Sequence, residues 1–311
     1  MDNSTLYQSP LLSGLAQRFK NKAYIADEIL TPVTVPNINF QYHVWDDGVV
    51  FRDQNTNYGP DSSFNSIDMK VSKTSASVDD HALAAWIDER ELNQAPELAV
   101  KAAKTRALVN ALQLKKERTI AAQVFSGSVI TNGATLSGTD QWSHEDSDPK
   151  NKILTAIDGM KIRPNTLVVG QQVWTKLQLH PLILEAVRYT RGAVDTRDII
   201  AAYLQVDRVL VGSALYDTAA EGQTQSLGFI WGKHALLAYV APGPSSPLMD
   251  EVSLGYNAQW GGGGAGGIRV YTGTDIKRGT GAGAQMVKCE MSYKPVVTSV
   301  ACGYLFTNAV A

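Results

Sequence analysis

Pro36-Asn37-Ile38-Asn39-Phe40-Gln41-Tyr42-His43-Val44-Trp45-Asp46-Asp47-Gly48-Val49-Val50-Phe51 opens a polar excursion that ends only where a strong helix begins at Pro96. Short alternating apolar positions (Ile38, Phe40, Tyr42, Val44) give way to Tyr58-Gly59-Pro60-Asp61 and a Ser/Asn/Lys mixture running to Val78. A structureless stretch of about forty residues inside a compact domain is unusual and normally marks a functional loop or a linker. Aromatic and β-branched residues at strand spacing (Tyr42, Trp45, Val49, Phe51) argue instead for an extended hairpin. With some twenty residues per arm, such a hairpin reaches roughly 60 Å at about 3.3 Å per residue. A two-stranded ribbon is marginal in water on its own. The remaining core of one chain does not offer a surface of that length, so the surface belongs to another copy. The sequence is that of something that assembles.

Downstream of the excursion lies the most secure element. Pro96 suits a first helical turn, where its missing N–H would have no partner, and Glu97 suits the positive end of the helix dipole. From there to Phe125 there is no Gly or Pro, and Leu98, Ala102, Leu108, Leu112, Ile120 and Val124 lie near one stripe. Thirty residues at 1.5 Å give about 45 Å of helix, long enough to act as a spine. Lys101, Lys104, Arg106, Lys115, Lys116 and Arg118 are expected to form its solvated face, and Gly127 ends it.

Upstream, residues 1–35 read as an arm. It has an amphipathic candidate (Leu11, Leu12, Leu15, Phe19) and an extended strap, Thr31-Pro32-Val33-Thr34-Val35-Pro36, stiffened by the two prolines. Val33 and Val35 are expected to bury against a partner chain or the chain's own periphery. After the polar connector 143–150, short helices alternate with apolar strands at 166–169, 208–211 and 229–239, which argues for a mixed α/β unit over about 150–265. The run Gly261–Gly267, interrupted only by Ala265, then precedes three expected strands at 268–271, 285–293 and 296–306. The run reads as a flexible connection between the middle unit and a returning sheet. The sheet that covers the spine helix comes last, so the middle unit is an insertion.

Composition excludes more than it assigns. The 311 residues are 44% apolar and 19% charged, with a net charge of −2 that carries no basic footprint for nucleic acid. Cys289 and Cys302 are too few for a disulfide framework and fit buried thiols in a reducing compartment. The N-terminus lacks the basic and apolar regions of a signal peptide, and the apolar run 235–242 is far short of a membrane span, so the chain is expected to be soluble and cytosolic when made.

No constellation for chemistry emerges. Gly262, Gly264 and Gly267 formally match G-x-G-x-x-G, but a strand follows where the dinucleotide fingerprint needs a helix. Neither a Walker loop nor a G-x-S-x-G elbow occurs. The five histidines stand at least 36 residues apart, with none of the local spacings of a metal site. Asp46-Asp47, Asp79-Asp80 and Glu145-Asp146 sit in turn-like sequence and read as turn or cap residues. No catalytic, cofactor-binding or metal-binding residue is assigned.

Arm, long hairpin, spine helix, inserted α/β unit and returning sheet, in this order, resemble a major capsid protein of the tailed bacteriophages. The stretches that carry the likeness are residues 24–30 with 32–35, Arg163-Pro164-Asn165-Thr166-Leu167-Val168-Val169-Gly170 with Trp174, Leu177, His180 and Pro181, and residues 235–244. The resemblance covers nearly the whole chain, mostly as order of elements. It implies an α+β fold divided into an N-terminal arm (1–35), an extended loop (36–80), a peripheral domain with the spine helix (81–149, helix about 96–125), an axial domain (150–265) and returning peripheral strands (266–311). It also implies self-assembly through pentamers and hexamers into an icosahedral shell around double-stranded DNA, without sequence-specific contact to it. Scaffolding, portal and decoration proteins are the further partners implied, and the location is the virion, after host cytoplasm.

Val33, Val35, Tyr42, Trp45, Phe51 and Tyr58 are the subunit-contact candidates. Many members begin with a scaffolding region of about a hundred residues that is cut away, and this chain leaves no room for one before its arm. Others cross-link a loop lysine to a neighbour; Lys70 and Lys73 lie in the loop, where lysine is unremarkable. An encapsulin-like compartment shell is the alternative within the fold. An enzyme with an active-site loop at 261–267 is the alternative outside it.

Overall fold

The computed structural model describes residues 7–9, 12–13, 23–45, 53, 56–57, 71–88, 97–188, 196–220, 222–242, 252–261, 267–275 and 283–311. The chain begins with β1 (Tyr7–Gln8), a one-turn helix α1 (Ala26–Ile29) and the strap β2 (Thr31–Val35). The hairpin β3 (Asn39–Trp45) and β4 (Val71–Ser77) follows, then β5 (Asp79–Ile87) and the spine helix α2 (Glu97–Val124). Its 28 residues contain no Gly or Pro and extend about 42 Å.

The middle of the chain comprises β6 (Gly133–Thr135), α3 (Pro149–Gly159), β7 (Thr166–Gly170), α4 (Gln171–Leu179), α5 (Pro181–Arg188), α6 (Thr196–Tyr203) and β8 (Arg208–Gly212). Asp148 caps α3, its carboxylate accepting the Asn151 N–H, with Pro149 in the first turn. A small ribbon, β9 (Leu215–Asp217) with β10 (Leu227–Phe229), leads to β11 (Ala235–Ala238). Four strands close the chain: β12 (Gly255–Trp260), β13 (Ile268–Asp275), β14 (Ala284–Val297) and β15 (Gly303–Thr307).

Two sheets organise these elements. The first has the order β6-β15-β11-β7-β8. Its alternate residues feed two different cores, as the period-two geometry of a strand requires. Leu167, Val169, Val209, Val211, Leu237 and Phe306 pack with α3, α4 and α6. Val168, Leu210, Leu236, Ala238 and Leu305 pack with Ile25, Ile29 and Leu30 of the arm and with Ile120, Ala121 and Val124 of the spine. A sheet covered on both faces explains why all five residues of β7 are buried.

The second sheet has the order β1-β13-β14-β12-β2, with β5 also on β14. Val287, Cys289 and Met291 of β14 meet Val109 and Leu112 of the spine helix. One helix therefore seals both sheets, the second with its middle and the first with its C-terminal turns.

Several expected assignments change. The strand expected over 296–306 does not exist as one element. Val296 and Val297 finish the 14-residue β14, a 3-10 turn intervenes, and β15 crosses into the other sheet, between β11 and β6. Conversely, β12, expected in the middle unit, pairs with β14 and lies parallel to the strap β2. The sheets thus exchange strands across the expected boundaries at 149–150 and 265–266, because ladder pairing follows spatial neighbours and the chain crosses between the sheets more than once. Pro295 sits inside β14 because β5 stops pairing at Tyr293, so position 295 needs a partner on one side only.

The glycine run also differs from expectation. β12 ends with Trp260 opposite Ser292, and β13 begins with Ile268 opposite Met291, the next rung of the same ladder. Residues 261–267 leave one edge of β14 and return to it at the neighbouring position. They do not join two separate units. Residues 262–266 themselves lie outside the described residues.

Candidate assembly site

The root of the excursion is a regular antiparallel ladder, from Asn39 opposite Ser77 to Trp45 opposite Val71. It stands on a small core of Val33, Val35, Phe40, Val78, Tyr256, Ala258 and Val296. Val33 and Val35 are 3% and 1% exposed, so both are spent within the chain and cannot also meet a neighbour. Of the two covers expected for them, a partner chain or the chain's own periphery, the structure gives the second. They alternate with exposed Pro32 and Thr34 along a strap that β12 pairs from far downstream, a partner that local sequence does not reveal.

Tyr42 is partly buried against this core, its ring 6.3 Å from that of Phe40, and burial raises its hydroxyl pKa. Trp45 closes the described ladder. Phe51, Tyr58 and Lys70 lie outside the described residues, and Lys73 pairs with His43 within the ladder.

What holds arm, spine and first sheet together is a carboxylate that the sequence reading missed. Glu117 is 1% exposed. Its Oε1 accepts the Ile25 N–H at 2.9 Å and the Trp231 indole N–H at 2.8 Å, and its Oε2 accepts the Ala26 N–H at 3.1 Å. The first free amides of α1 thus find their partner on another helix. Burial pushes the Glu117 carboxyl above the usual carboxylate range, and the three hydrogen bonds only partly offset it.

Next to it, Lys116 Nζ reaches Asp27 at 2.6 Å and is buried, which removes it from the expected solvated face. Asn110 accepts the Tyr24 hydroxyl, and Arg208 donates to the Glu28 carbonyl. Gly212 lies against the indole that Glu117 holds: a Cβ there would collide with Trp231. A sequence signal existed. Positions 116 and 117 fall between Leu112 and Ile120 on the buried stripe, but the run Lys-Lys-Glu-Arg reads as a surface.

Other polar sites point to structure. Ser147 and His180 are both buried, with Oγ and Nε2 3.2 Å apart. The Ser147 hydroxyl donates to the His144 carbonyl at 2.8 Å, so its proton points away from the imidazole, which donates to it. That is a brace between the connector and the α4–α5 corner, without an activated nucleophile. Among the described residues, no three His, Cys, Asp or Glu side chains gather as metal ligands do.

Both cysteines are buried free thiols, as expected, and burial pushes Cys289 up to about 12. A thiol so far from ionisation is inert. Neither cysteine is expected to react with iodoacetamide in the native protein, and both are expected to react in denaturant. Stoichiometric native labelling, read by mass spectrometry, would contradict the burial described here.

Beyond these sites, a groove of about 560 Å³ opens along the C-terminal half of α2. Lys115, Arg118, Phe125, Tyr216, Ile230 and His234 line it. The Arg118 guanidinium lies 4.3 Å from the Tyr216 ring centroid, and the His234 and Phe125 rings meet edge-on at 5.4 Å. Burial lowers the His234 pKa, and its Nδ1 accepts the Asn308 N–H.

A two-sheet body sealed by one spine helix, with a hairpin projecting from its root, is the fold of phage capsid subunits. It matches a phage-related protein from Bordetella bronchiseptica with a TM-score of 0.76 and 22% identity, covering 98% of each chain. It also matches the capsid of cyanophage P-SCSP1u with a TM-score of 0.60 and 12% identity, over 93% of this chain and 89% of the other. No protein-family model matches the chain. The major capsid protein of Pseudomonas phage JBD67 is 31% identical over 318 residues, covering all of both chains. The chain belongs to the phage major capsid proteins. It is a structural component of the virion and assembles with its own copies into a shell.

Proposed function

We propose that the chain is a self-assembling, non-catalytic wall subunit of an icosahedral shell that encloses the double-stranded DNA of a tailed phage. The observation that carries this is end-to-end similarity to a phage major capsid protein, combined with a hairpin whose described ladder is rooted in the core on one short cluster. In this reading the first sheet with α3 to α6 is the axial part, meeting its copies in pentamers and hexamers. The second sheet with the spine helix is the peripheral part, and the extended loop crosses to a neighbouring copy. A scaffolding protein, a portal and a decoration protein are the further partners. Assembly takes place in host cytoplasm. With a net charge of −2 the wall does not attract DNA, so DNA has to be driven in.

Negative-stain microscopy of the purified chain tests this directly. Closed particles of uniform curvature are expected, and native particles should contain double-stranded DNA. A monodisperse monomer at high concentration would overturn the shell reading. Particles that hold a protein cargo and no nucleic acid would move the chain to the compartment alternative.

A further inference from the structure

Asn132-Gly133 is the one place in the chain where an asparagine precedes a glycine, and the fold requires the glycine. A Cβ at position 133 would run into the main-chain carbonyl oxygen of Leu305, the residue opposite it in the ladder. The pair stands where the chain leaving the spine helix enters the first sheet. There β6 is three residues long and lies at the sheet's edge, and Asn132 and Gly133 are both exposed.

The register leaves the Gly133 nitrogen out of the pairing. Leu305 donates its N–H to the Asn132 carbonyl at 2.9 Å. In a parallel ladder the next bond runs from the Ala134 N–H to the Leu305 carbonyl, so the Gly133 N–H points away from β15. Lacking a side chain, Gly133 leaves that nitrogen unshielded and free to change its backbone angles. A short edge strand also belongs to the part of a fold that opens most readily.

Asn132 itself tethers a second element. Its Nδ2 donates at 3.3 Å to the carbonyl of Val300, the first residue of the 3-10 turn (Val300–Cys302) between β14 and β15. Every other asparagine in the chain is followed by a residue with a side chain.

We propose that Asn132-Gly133 is a self-modification site, at which the folded chain converts Asn132 to aspartate and isoaspartate through a cyclic imide. The Gly133 nitrogen loses its proton and attacks Asn132 Cγ. The N–Cγ bond forms, the Cγ–Nδ2 bond breaks, and the side-chain nitrogen leaves as ammonia with the proton that Gly133 gave up. Water then opens the imide at either carbonyl, and nothing is oxidised or reduced. Both products set a carboxylate where an amide donor faced the Val300 carbonyl. Isoaspartate also takes the carbonyl that pairs with Leu305 out of the main chain. The change loosens the turn by which the chain crosses from the second sheet to the first. Each copy in a shell carries the site, so an ageing particle accumulates both the added charge and the weakened turns.

Wild-type protein held at mildly alkaline pH and sampled over weeks tests this, by peptide mass spectrometry and by labelling with isoaspartyl methyltransferase. The peptide containing Asn132 is expected to change first, gaining the mass of an amide-to-acid exchange and accepting the methyl label. Asn132→Gln, which would have to close a larger ring, is expected to keep its mass. Asn132→Asp carries the product side chain and is expected to melt about 2–4 °C below wild type, the effect of one lost tether in a chain of this size.

Conversion at Asn132 in the urea-unfolded chain but not in the folded one overturns the proposal, since the fold would then protect the pair. Conversion of any other asparagine ahead of Asn132 overturns it as well. Wild-type melting of Asn132→Asp overturns the link to the turn. The first two results are read on the wild-type chain and do not depend on a variant folding.

Discussion

Replacing Glu117 with leucine is expected to lower the unfolding free energy by about 3–9 kcal/mol, the cost of stranding three buried donors at roughly 1–3 kcal/mol each. Those donors are the Ile25 and Ala26 amides and the Trp231 indole. They belong to the arm and to the turn before β11, so the loss reaches three elements at once. Glutamine keeps the shape but sets an NH₂ against one N–H, and about 1–3 kcal/mol is expected from it. Urea unfolding followed by tryptophan fluorescence measures both. A leucine variant within about 1 kcal/mol of wild type would show that the carboxylate is not the keystone described.

The pH dependence has a definite sign. Because burial raises the folded-state pKa, the stability linked to this proton is full below the ordinary carboxylate range and is lost as pH rises through the raised value. The gap between wild type and the glutamine variant should therefore be widest in acid and narrow towards neutral pH.

Removing residues 1–35 is expected to abolish folding. The sequence alone reads this segment as an arm that docks its apolar residues on a partner chain or on the chain's own periphery. In the structure Ile25, Ile29, Leu30, Val33 and Val35 are 5%, 0%, 0%, 3% and 1% exposed. At about 1.5–3 kcal/mol for each fully buried side chain they contribute on the order of 7–15 kcal/mol. That matches the whole net stability of a typical domain, about 5–15 kcal/mol. The first three also pack on one face of the first sheet beside Ile120, Ala121 and Val124 of the spine helix, so the middle unit loses the arm's share of the cover on that face. Circular dichroism and a thermal melt of the truncated chain test this. A cooperative transition near that of wild type would return the segment to the role of an accessory arm.

How much of this was legible follows from the range of each interaction. The spine helix was read to within a residue or so at each end, because its causes are local: Pro96, an unbroken run of helix formers, and Gly127. The buried strand β7 and the helices that alternate around it were likewise visible in short windows. The root of the hairpin was visible in its strand spacing, Tyr42 and Trp45 lying in the ladder from Asn39 to Trp45, while Val49 and Phe51 lie outside the described residues.

What failed was long-range. Nothing near Thr31 announces that β12 pairs with it, and nothing near Gly303 announces a move to the other sheet. At the candidate site, Val33 and Val35 were recognised as apolar residues seeking cover, but the cover proved to be the chain's own. Lys116 and Glu117 were hidden by their neighbours: two charged residues flanked by two more look solvated, and only their place on the buried stripe says otherwise.

The ladder along β14 carries a last consequence. Since Trp260 and Ile268 occupy adjacent rungs, the sheet fixes where the chain departs and returns but not how many residues it spends between. The entropy of closing such a detour grows only logarithmically, by about 0.6 kcal/mol for each doubling of its length. Homologous shells are therefore free to lengthen, shorten or wholly rewrite this stretch while every rung on either side stays in register. What the wall subunit has to keep is the ladder on either side, not a particular length between.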